Sequence, residues 1–284
     1  MYLTSGGDPG ELRNRARGAL AAAPAGSVVT GVSALGLCGV PLAEGFTRDS
    51  SRRIHLLAPP GRRQGPRRPG VAGHVRAAHC AAVTEPRSGI PIAPPTHSWV
   101  DAVRWLGRET GWGAWDSEPA ATRGLFETPA KRAFLESVQL GDALLRRQTP
   151  LCWQEQLDEC AQADVGPGSK LVHEASKQVR ARTDSFMETW LRLVVWDAGF
   201  PDPEVNFEVA GNGWRYLLDL AWPDRMINLE YHGRQHFEKS DQSYKDVPRR
   251  ARLQDAGWSI HEAVYADLRE PAGMLRRLAR SFGW

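Results

Sequence analysis

The last third of the chain has the clearest alternation of hydrophobic and polar positions. Ser185 and Glu188 form a Ser-x-x-Glu capping signature before an apolar run with helical spacing, which ends at Gly199. The strand patterns that follow lie at residues 204–209, 214–220, 226–231 and 258–264. Helical patterns lie around residues 247–256 and 275–281. This region is therefore predicted to fold in the order α-β-β-β-α-β-α.

The first part of the chain has shorter and less regular patterns. A helix is predicted over residues 11–23, then a strand or turn with a buried helix over 27–40, and strands at 54–57 and 71–77. Further helices are predicted at residues 98–107, 130–148, 151–163 and 170–181. The Gly166-Pro167-Gly168 segment is the strongest linker signal in the chain. We therefore predict an α/β (mixed α+β) protein with domains at 1–168 and 169–284.

Composition is typical of a folded protein, with 42% hydrophobic and 24% charged residues among 284. No apolar run reaches the length of a membrane span, and the N-terminus lacks the apolar core of a secretory signal. A cytoplasmic protein without a membrane partner is therefore expected. The net charge is +3, but residues 1–182 carry +6 and residues 183–284 carry −3. A basic half beside a carboxylate-rich half suits a nuclease.

The most basic segment lies between the two predicted strands near residues 54 and 71. Seven arginines and no acidic residue occur from Arg52 to Arg76. Proline and glycine disfavour regular structure at Pro59–Gly70, so we expect an exposed segment, called the basic loop below. Its four arginines are Arg62, Arg63, Arg67 and Arg68. The loop is predicted either to contact DNA phosphates or to form the solvated tip of a hairpin.

Two carboxylates are predicted to lie on one face of a strand hairpin, as diagonal neighbours. With the turn centred on Pro223-Asp224, Asp219 falls opposite Asn228, and Glu230 lies two residues on. Side-chain direction repeats every two residues, so Asp219 and Glu230 share a face. A carboxylate late in an apolar strand is costly to bury without a partner. Two hard oxygen donors suit Mg²⁺ or Mn²⁺, which promotes phosphodiester hydrolysis.

Residues around this hairpin resemble the Vsr-like branch of the PD-(D/E)XK endonuclease superfamily, over about residues 183–268. The matching positions are Ser185, Glu188, Asp219, Trp222, Pro223, Glu230, Gly233, Gln235, His236, Asp246, Arg249, Leu253 and Gly257. The predicted order of elements also agrees with the restriction-endonuclease-like αβββαβ core of that superfamily. The resemblance implies a divalent-metal-dependent endonuclease that leaves 5′-phosphate and 3′-hydroxyl ends.

The resemblance also implies a role for each matching polar residue. Asp219 and Glu230 would bind the ion, together with the backbone carbonyl of Tyr231. His236 would act as general base or orient the attacking water, and Asp246 would orient His236. Glu188 would hold an outer-shell water, Arg249 would contact the scissile phosphate, and Gln235 would contact DNA.

Several of these residues have a simpler structural explanation. The capping signature alone accounts for Glu188, and Asp246 could cap the helix that follows it. His236 could be an ordinary surface histidine. His232 is a departure from the family, because an acidic residue is usual two positions after the glutamate. An imidazole is a poor Mg²⁺ ligand, although it can serve as a base or bind Mn²⁺ or Zn²⁺. Glu262 also departs, where the family often has arginine.

The N-terminal half loosely resembles the region that precedes such nuclease domains, and the C-terminal part of AbiEi-type antitoxins. The similarity lies in Val28–Gly39, Ile90–Thr96 with Asp101, and Gly141–Arg146. It implies a module that positions substrate or binds a partner.

The sequence as a whole predicts a metal-dependent DNA endonuclease or nickase. The alternative is a catalytically silent DNA-binding regulator or antitoxin that keeps the nuclease fold, and an RNase is a third reading. A homodimer is left open.

Overall fold

The computed structural model describes residues 9–75, 80–110, 128–233 and 240–284. Its N-terminal elements are α1 (Pro9–Ala21), β1 (Val28–Val29), α2 (Gly31–Leu37), α3 (Glu44–Arg52), β2 (Ile54–Leu57), β3 (Val71–His74), β4 (Val83–Thr84) and β5 (Pro91–Ile92). Four helices follow: α4 (Pro95–Thr110), α5 (Pro129–Leu144), α6 (Gln154–Gln162) and α7 (Ser169–Ser176). None of the described helices is both long enough and apolar enough to cross a membrane.

The N-terminal strands form a mixed sheet in the order β3-β2-β1-β5-β4. Strands β2 and β3 are parallel, with Ile54 opposite Val71, so the expected hairpin between them is wrong. Parallel neighbours need a crossover of roughly a dozen residues, and the basic loop supplies it. The loop packs closely on β3, since a Cβ on Gly65 would lie 2.3 Å from the carbonyl carbon of Gly73. The glycines therefore fix where this loop lies.

Helices α4 to α7 pack against one another, and α4 packs on α2, which contacts β2 of this sheet. One continuous hydrophobic core includes Val32 in α2, Leu135 in α5, Leu191 and Leu278. Residues from both predicted domains therefore contribute to the same core. The division at residue 168 stays a prediction, and α7, placed C-terminal to it, packs on α4, α5 and α6.

The C-terminal region follows the predicted order of elements. It contains α8 (Phe186–Asp197), β6 (Glu204–Gly211), β7 (Trp214–Trp222), β8 (Ile227–Tyr231), α9 (Ser240–Asp255), β9 (Ser259–Ala263), α10 (Tyr265–Arg269) and α11 (Ala272–Phe282). The sheet order is β6-β7-β8-β9. Neighbouring strands are antiparallel except for β8 and β9, which are parallel. The α/β fold class and the αβββαβ order are therefore confirmed.

Two local expectations for this region are wrong. Helix α9 begins at Ser240, so Pro248 lies inside the helix rather than in its first turn. The missing N–H of a proline removes one helical hydrogen bond, and the preceding turns continue the helix despite that cost. The short helix α10 was not expected, because a five-residue helix has too little periodicity to predict.

The predicted start of α8 is confirmed at the level of hydrogen bonds. The Glu188 N–H donates to Ser185 Oγ at 3.1 Å. The carboxylate of Glu188 accepts from the Asp184 N–H at 2.9 Å, so the return half of the capping box closes one residue earlier. The capping explanation therefore accounts for part of the bonding of Glu188.

A buried ion pair joins α5 to α8. Asp142 is fully buried, and its Oδ2 accepts from Arg192 Nη2 at 2.8 Å and from Thr189 Oγ1 at 2.8 Å. Its Oδ1 accepts from the Arg180 N–H at 2.8 Å, and the Thr183 hydroxyl lies 3.3 Å from Oδ2. The carboxylate is thereby saturated with donors, which a buried charge requires.

Asp142→Ala is expected to lower the free energy of unfolding by about 3–5 kcal/mol, because it leaves the Arg192 guanidinium buried without its carboxylate. Denaturant unfolding measures this loss. Arg147→Ala is the matched control, since it breaks a half-exposed pair with Asp184 at 2.7 Å and is expected to cost at most about 1 kcal/mol. Equal losses in the two variants would contradict the special role of Asp142.

Candidate active site

The pairing of β7 and β8 brings the two predicted metal ligands together. Ala221 pairs with Asn228 and Leu220 with Leu229, so the same register places Glu230 directly opposite Asp219. The expectation that Asn228 faces Asp219 is therefore wrong by two residues. A 3-10 turn at Pro223–Arg225, followed by Met226 with φ of 54°, moves the hairpin centre toward the C-terminus. Directly opposite residues are closer than the diagonal neighbours that were expected.

A distorted backbone position on β6, at Asn206, helps to hold Glu188 near Asp219. Val205 pairs with Leu220 and Phe207 with Leu218, which leaves Asn206 between them beside Asp219. Asn206 has φ of 48°, a left-handed conformation that asparagine tolerates better than most residues. Its Nδ2 donates to Glu188 Oε2 at 3.2 Å and to the Arg182 carbonyl at 2.8 Å. The kink thus holds the α8 carboxylate toward the strand.

Asp219 lies at the centre of this carboxylate cluster. Its Oδ2 accepts from the Tyr231 N–H at 2.9 Å. Burial raises the pKa of Asp219 well above its ordinary value, and the negative charges of Glu188 and Glu230 raise it further. The Tyr231 N–H and the Arg249 guanidinium act in the opposite direction. A cation bound here would stabilise the ionised form of Asp219.

Glu230 is buried and already has a cationic partner. Arg249 Nη1 donates to its Oε2 at 2.9 Å, and Arg249 Nη2 donates to its Oε1. The same guanidinium donates to the Leu217 carbonyl at 2.7 Å and lies over the ring of Tyr216. Arg249 therefore crosses from α9 to the β7–β8 pair and contacts a predicted metal ligand. Its predicted contact with the scissile phosphate stays a prediction.

His232 lies at the edge of the same site. Its N–H donates to the Ala263 carbonyl at 2.8 Å, which continues the β8–β9 ladder by one residue. Its Nε2 is 4.0 Å from Glu230 Oε2 and 3.9 Å from Glu262 Oε1. These side chains line a cavity of about 170 Å³ together with Arg250, which donates to Glu262 at 2.8 Å. Both departures from the family pattern therefore lie beside the carboxylates.

Asn228 is a site residue that the sequence reasoning missed. It is fully buried, and its Nδ2 donates to Glu230 Oε1 at 3.0 Å. Its Oδ1 is buried without a hydrogen-bond partner among the described residues. A polar residue between Ile227 and Leu229 in an apolar strand was the available signal. Asn206 was missed as well, and its signal was an asparagine inside a strand pattern.

The oxygen atoms of Asp219, Glu230 and Asn228 are the potential ligands for a divalent ion at this site. Within the described ranges, no group of three or more histidine, cysteine, aspartate or glutamate side chains is placed to hold a metal ion. Mg²⁺ commonly binds through one or two carboxylates and keeps several waters. Asp219 and Glu230 fit that requirement, and the unsatisfied Asn228 oxygen adds a polar acceptor nearby. The hydrogen bonds from Arg249 to Glu230 would compete with binding of the ion.

Other predicted site residues lie outside this cluster or outside the described residues. Gln235 and His236 are outside the described part of the chain. Asp246 belongs to α9, where its side chain is not described. The four arginines of the basic loop are exposed as expected, at Arg62, Arg63, Arg67 and Arg68.

Comparison with known proteins identifies only partial relatives. No protein-family model matches the chain, and no solved structure matches it significantly. Two Mycobacterium tuberculosis proteins are each 38% identical to it over 103 residues: uncharacterized protein MT2308 (strain CDC 1551 / Oshkosh) and uncharacterized protein Rv2248 (strain ATCC 25618 / H37Rv). The matched segment is 35% of this chain and 37% of each relative. The chain thus matches little more than a third of their length, and their names state no activity.

Asp219→Asn is expected to stabilise the metal-free protein at pH 8 by on the order of 1 kcal/mol, since it removes a charge from the carboxylate cluster. The folded protein holds the Asp219 proton more tightly than the unfolded chain does. The gain should therefore shrink as the pH falls through the raised pKa, and vanish below the ordinary value of about 4. Unfolding measured in EDTA across this pH range checks it, and a gain that is independent of pH would contradict it.

Proposed function

We propose that this protein is a divalent-metal-dependent DNA endonuclease or nickase of the cytoplasm. The proposal rests on the position of Asp219, whose carboxylate lies beside Glu188 and Glu230; burial raises its pKa, and the charges of these two glutamates raise it further. Repulsion of this kind is common at functional sites, where a cation or a proton relieves it. The αβββαβ order agrees with the PD-(D/E)XK resemblance.

The chain's own residues have distinct tasks in this proposal. Asp219 and Glu230 would hold Mg²⁺ or Mn²⁺, which when bound supplies a Lewis acid and activates water. Asn206 keeps Glu188 turned toward the site, where it can bind an outer-shell water. His232 lies 4.0 Å from Glu230 and is close enough to accept a proton from a water in the cavity.

The basic loop supports DNA as the substrate. Its four arginines are exposed, and glycine contacts with β3 fix the loop in place. Arginine is well suited to phosphate oxygens because its planar group donates two parallel hydrogen bonds. The loop would position the duplex through its backbone, without reading its sequence.

Asp219→Ala is expected to abolish conversion of supercoiled plasmid to nicked or linear DNA in Mg²⁺ or Mn²⁺, because it removes a metal ligand. Asp224→Ala is the matched control, since Asp224 is an exposed carboxylate in the adjoining turn and should retain cleavage. The same reaction with mismatched, modified and single-stranded DNA, and with RNA, defines the substrate. If wild type and Asp219→Ala are equally inert on every substrate, the enzyme proposal fails.

The ion pair between Arg249 and Glu230 favours a second candidate, a DNA-binding regulator or antitoxin without catalysis. In that case the guanidinium permanently takes the place of a metal ion. His232, where the family usually has an acidic residue, is consistent with it. Binding to the protein's own promoter without cleavage would support this candidate, and no DNA binding at low salt would exclude it.

Arg249→Gln is expected to raise the affinity for Mn²⁺ by about tenfold or more, because it removes both guanidinium hydrogen bonds from the Glu230 carboxylate. Electron paramagnetic resonance of free Mn²⁺ measures this affinity without relying on turnover. Arg252→Gln removes a positive charge one turn away on α9 and serves as the control. Equal affinities in wild type and Arg249→Gln would show that Arg249 does not compete with the ion.

A further inference from the structure

A second cavity lies in the N-terminal region between α3, α4 and α5. Its volume of about 460 Å³ is within the range of roughly 300–1,000 Å³ that small-molecule sites occupy. Buried Phe46 and Ala133 form part of its apolar lining. The proposed nuclease site uses none of the side chains that line it.

One wall of this cavity is formed by the planar side chains of Trp105 and Arg53. The indole of Trp105 lines it, and the guanidinium of Arg53 lies over that indole at 5.4 Å from the ring centroid. The rings of His55 and Trp105 are nearly perpendicular with centroids 5.3 Å apart, and this contact restrains the indole. Nucleic-acid bases stack on aromatic rings and on arginine planes of this kind.

The rim of the cavity is rich in arginine, and Glu44, just outside it, pairs with Arg48 and Arg132. Four arginines line it, at Arg48, Arg52, Arg53 and Arg132, against the three carboxylates of Asp49, Glu109 and Glu136. The three carboxylates are engaged by neighbours, as in the contact of 3.3 Å between Arg53 and Asp49. Arg52 is exposed and makes no ion pair with the residues that the structure describes. Its guanidinium is therefore available to an anion.

A buried chain of hydrogen bonds holds one carboxylate of the wall. Asp49 Oδ2 lies 2.6 Å from Nε2 of His55, and Nδ1 of His55 lies 2.8 Å from Nε2 of His74. His55 is fully buried, so this chain supports Asp49 from the protein interior. A carboxylate fixed in this way can accept a hydrogen bond from the amino group of a base.

We propose that this cavity binds a nucleotide, with the base against Trp105 and Arg53 and the phosphate at Arg52. The nucleotide is either free in solution or the end of a nucleic-acid strand. The basic loop ends beside Arg52, because the Ile54 N–H donates to the Gly70 carbonyl at 2.8 Å, so a strand held by the loop could reach the cavity. Binding here is independent of cleavage at Asp219.

Isothermal titration calorimetry with 5′-AMP in EDTA tests the proposal. Wild type is expected to bind one equivalent, and Arg52→Gln to bind at least about tenfold more weakly through loss of a charged hydrogen bond. Arg215→Gln removes an exposed arginine from β7 in the other sheet and should bind 5′-AMP like wild type. No binding at millimolar 5′-AMP, or equal affinity in Arg52→Gln and wild type, overturns the proposal.

Oligonucleotides with and without a 5′-phosphate distinguish the two sources. If Arg52→Gln weakens binding of both 5′-AMP and the phosphorylated strand but not of the unphosphorylated strand, the cavity takes a strand end. If it weakens 5′-AMP binding and leaves both strands unaffected, the cavity takes a free nucleotide. Either result supports the site, whatever the outcome of the plasmid assay. The two proposals can therefore fail separately.

Discussion

The buried ion pair between Asp142 and Arg192 is the interaction on which the rest of the structure depends. It joins α5 of the N-terminal region to α8, the first helix of the αβββαβ unit, at a point where neither charge reaches solvent. A buried pair adds little net stability over apolar packing, but its geometry tolerates few alternatives. Arg192 lies one turn after Glu188 on α8, so fixing the arginine also fixes the helix that carries the third carboxylate of the candidate site. The N-terminal region thereby helps to position Glu188 near Asp219 on β7.

The buried and partly buried carboxylates of the protein have different environments. Asp142 is saturated with donors, including one guanidinium and two hydroxyls. Among the described residues, Asp219 accepts a hydrogen bond from one backbone donor; burial raises its pKa, and the charges of Glu188 and Glu230 raise it further. Glu230 is intermediate, because Arg249 neutralises it from α9. The fold thus neutralises Asp142 fully and Asp219 only in part. In the proposed function, Arg249 is the residue that decides between an enzyme and a silent relative.

Much of the C-terminal fold could be predicted from the sequence, because the strands alternate cleanly and the Gly211–Gly213 turn and the Ser185 cap are strong local signals. The hairpin register could not, since the left-handed Met226 and the 3-10 turn shift the centre in a way that residue types alone do not specify. The parallel pairing of β2 with β3 was also missed, because a long loop between two short strands permits either direction. The roles of Asn206 and Asn228 could not be predicted, because they depend on contacts with Glu188 and Glu230 that only the fold creates. The proposed nucleotide cavity could not be predicted either, because it lies between helices that are far apart in sequence.

In the proposed function, Asp219 and Glu230 bind a divalent ion. A crystal soaked in Mn²⁺, with anomalous scattering recorded near the manganese edge, tests it most directly. We expect one anomalous peak within about 2.0–2.4 Å of an Asp219 oxygen and a Glu230 oxygen, with the Arg249 guanidinium moved away from Glu230. Full soaking with no peak at this position, and with the bond between Arg249 and Glu230 intact, would contradict it.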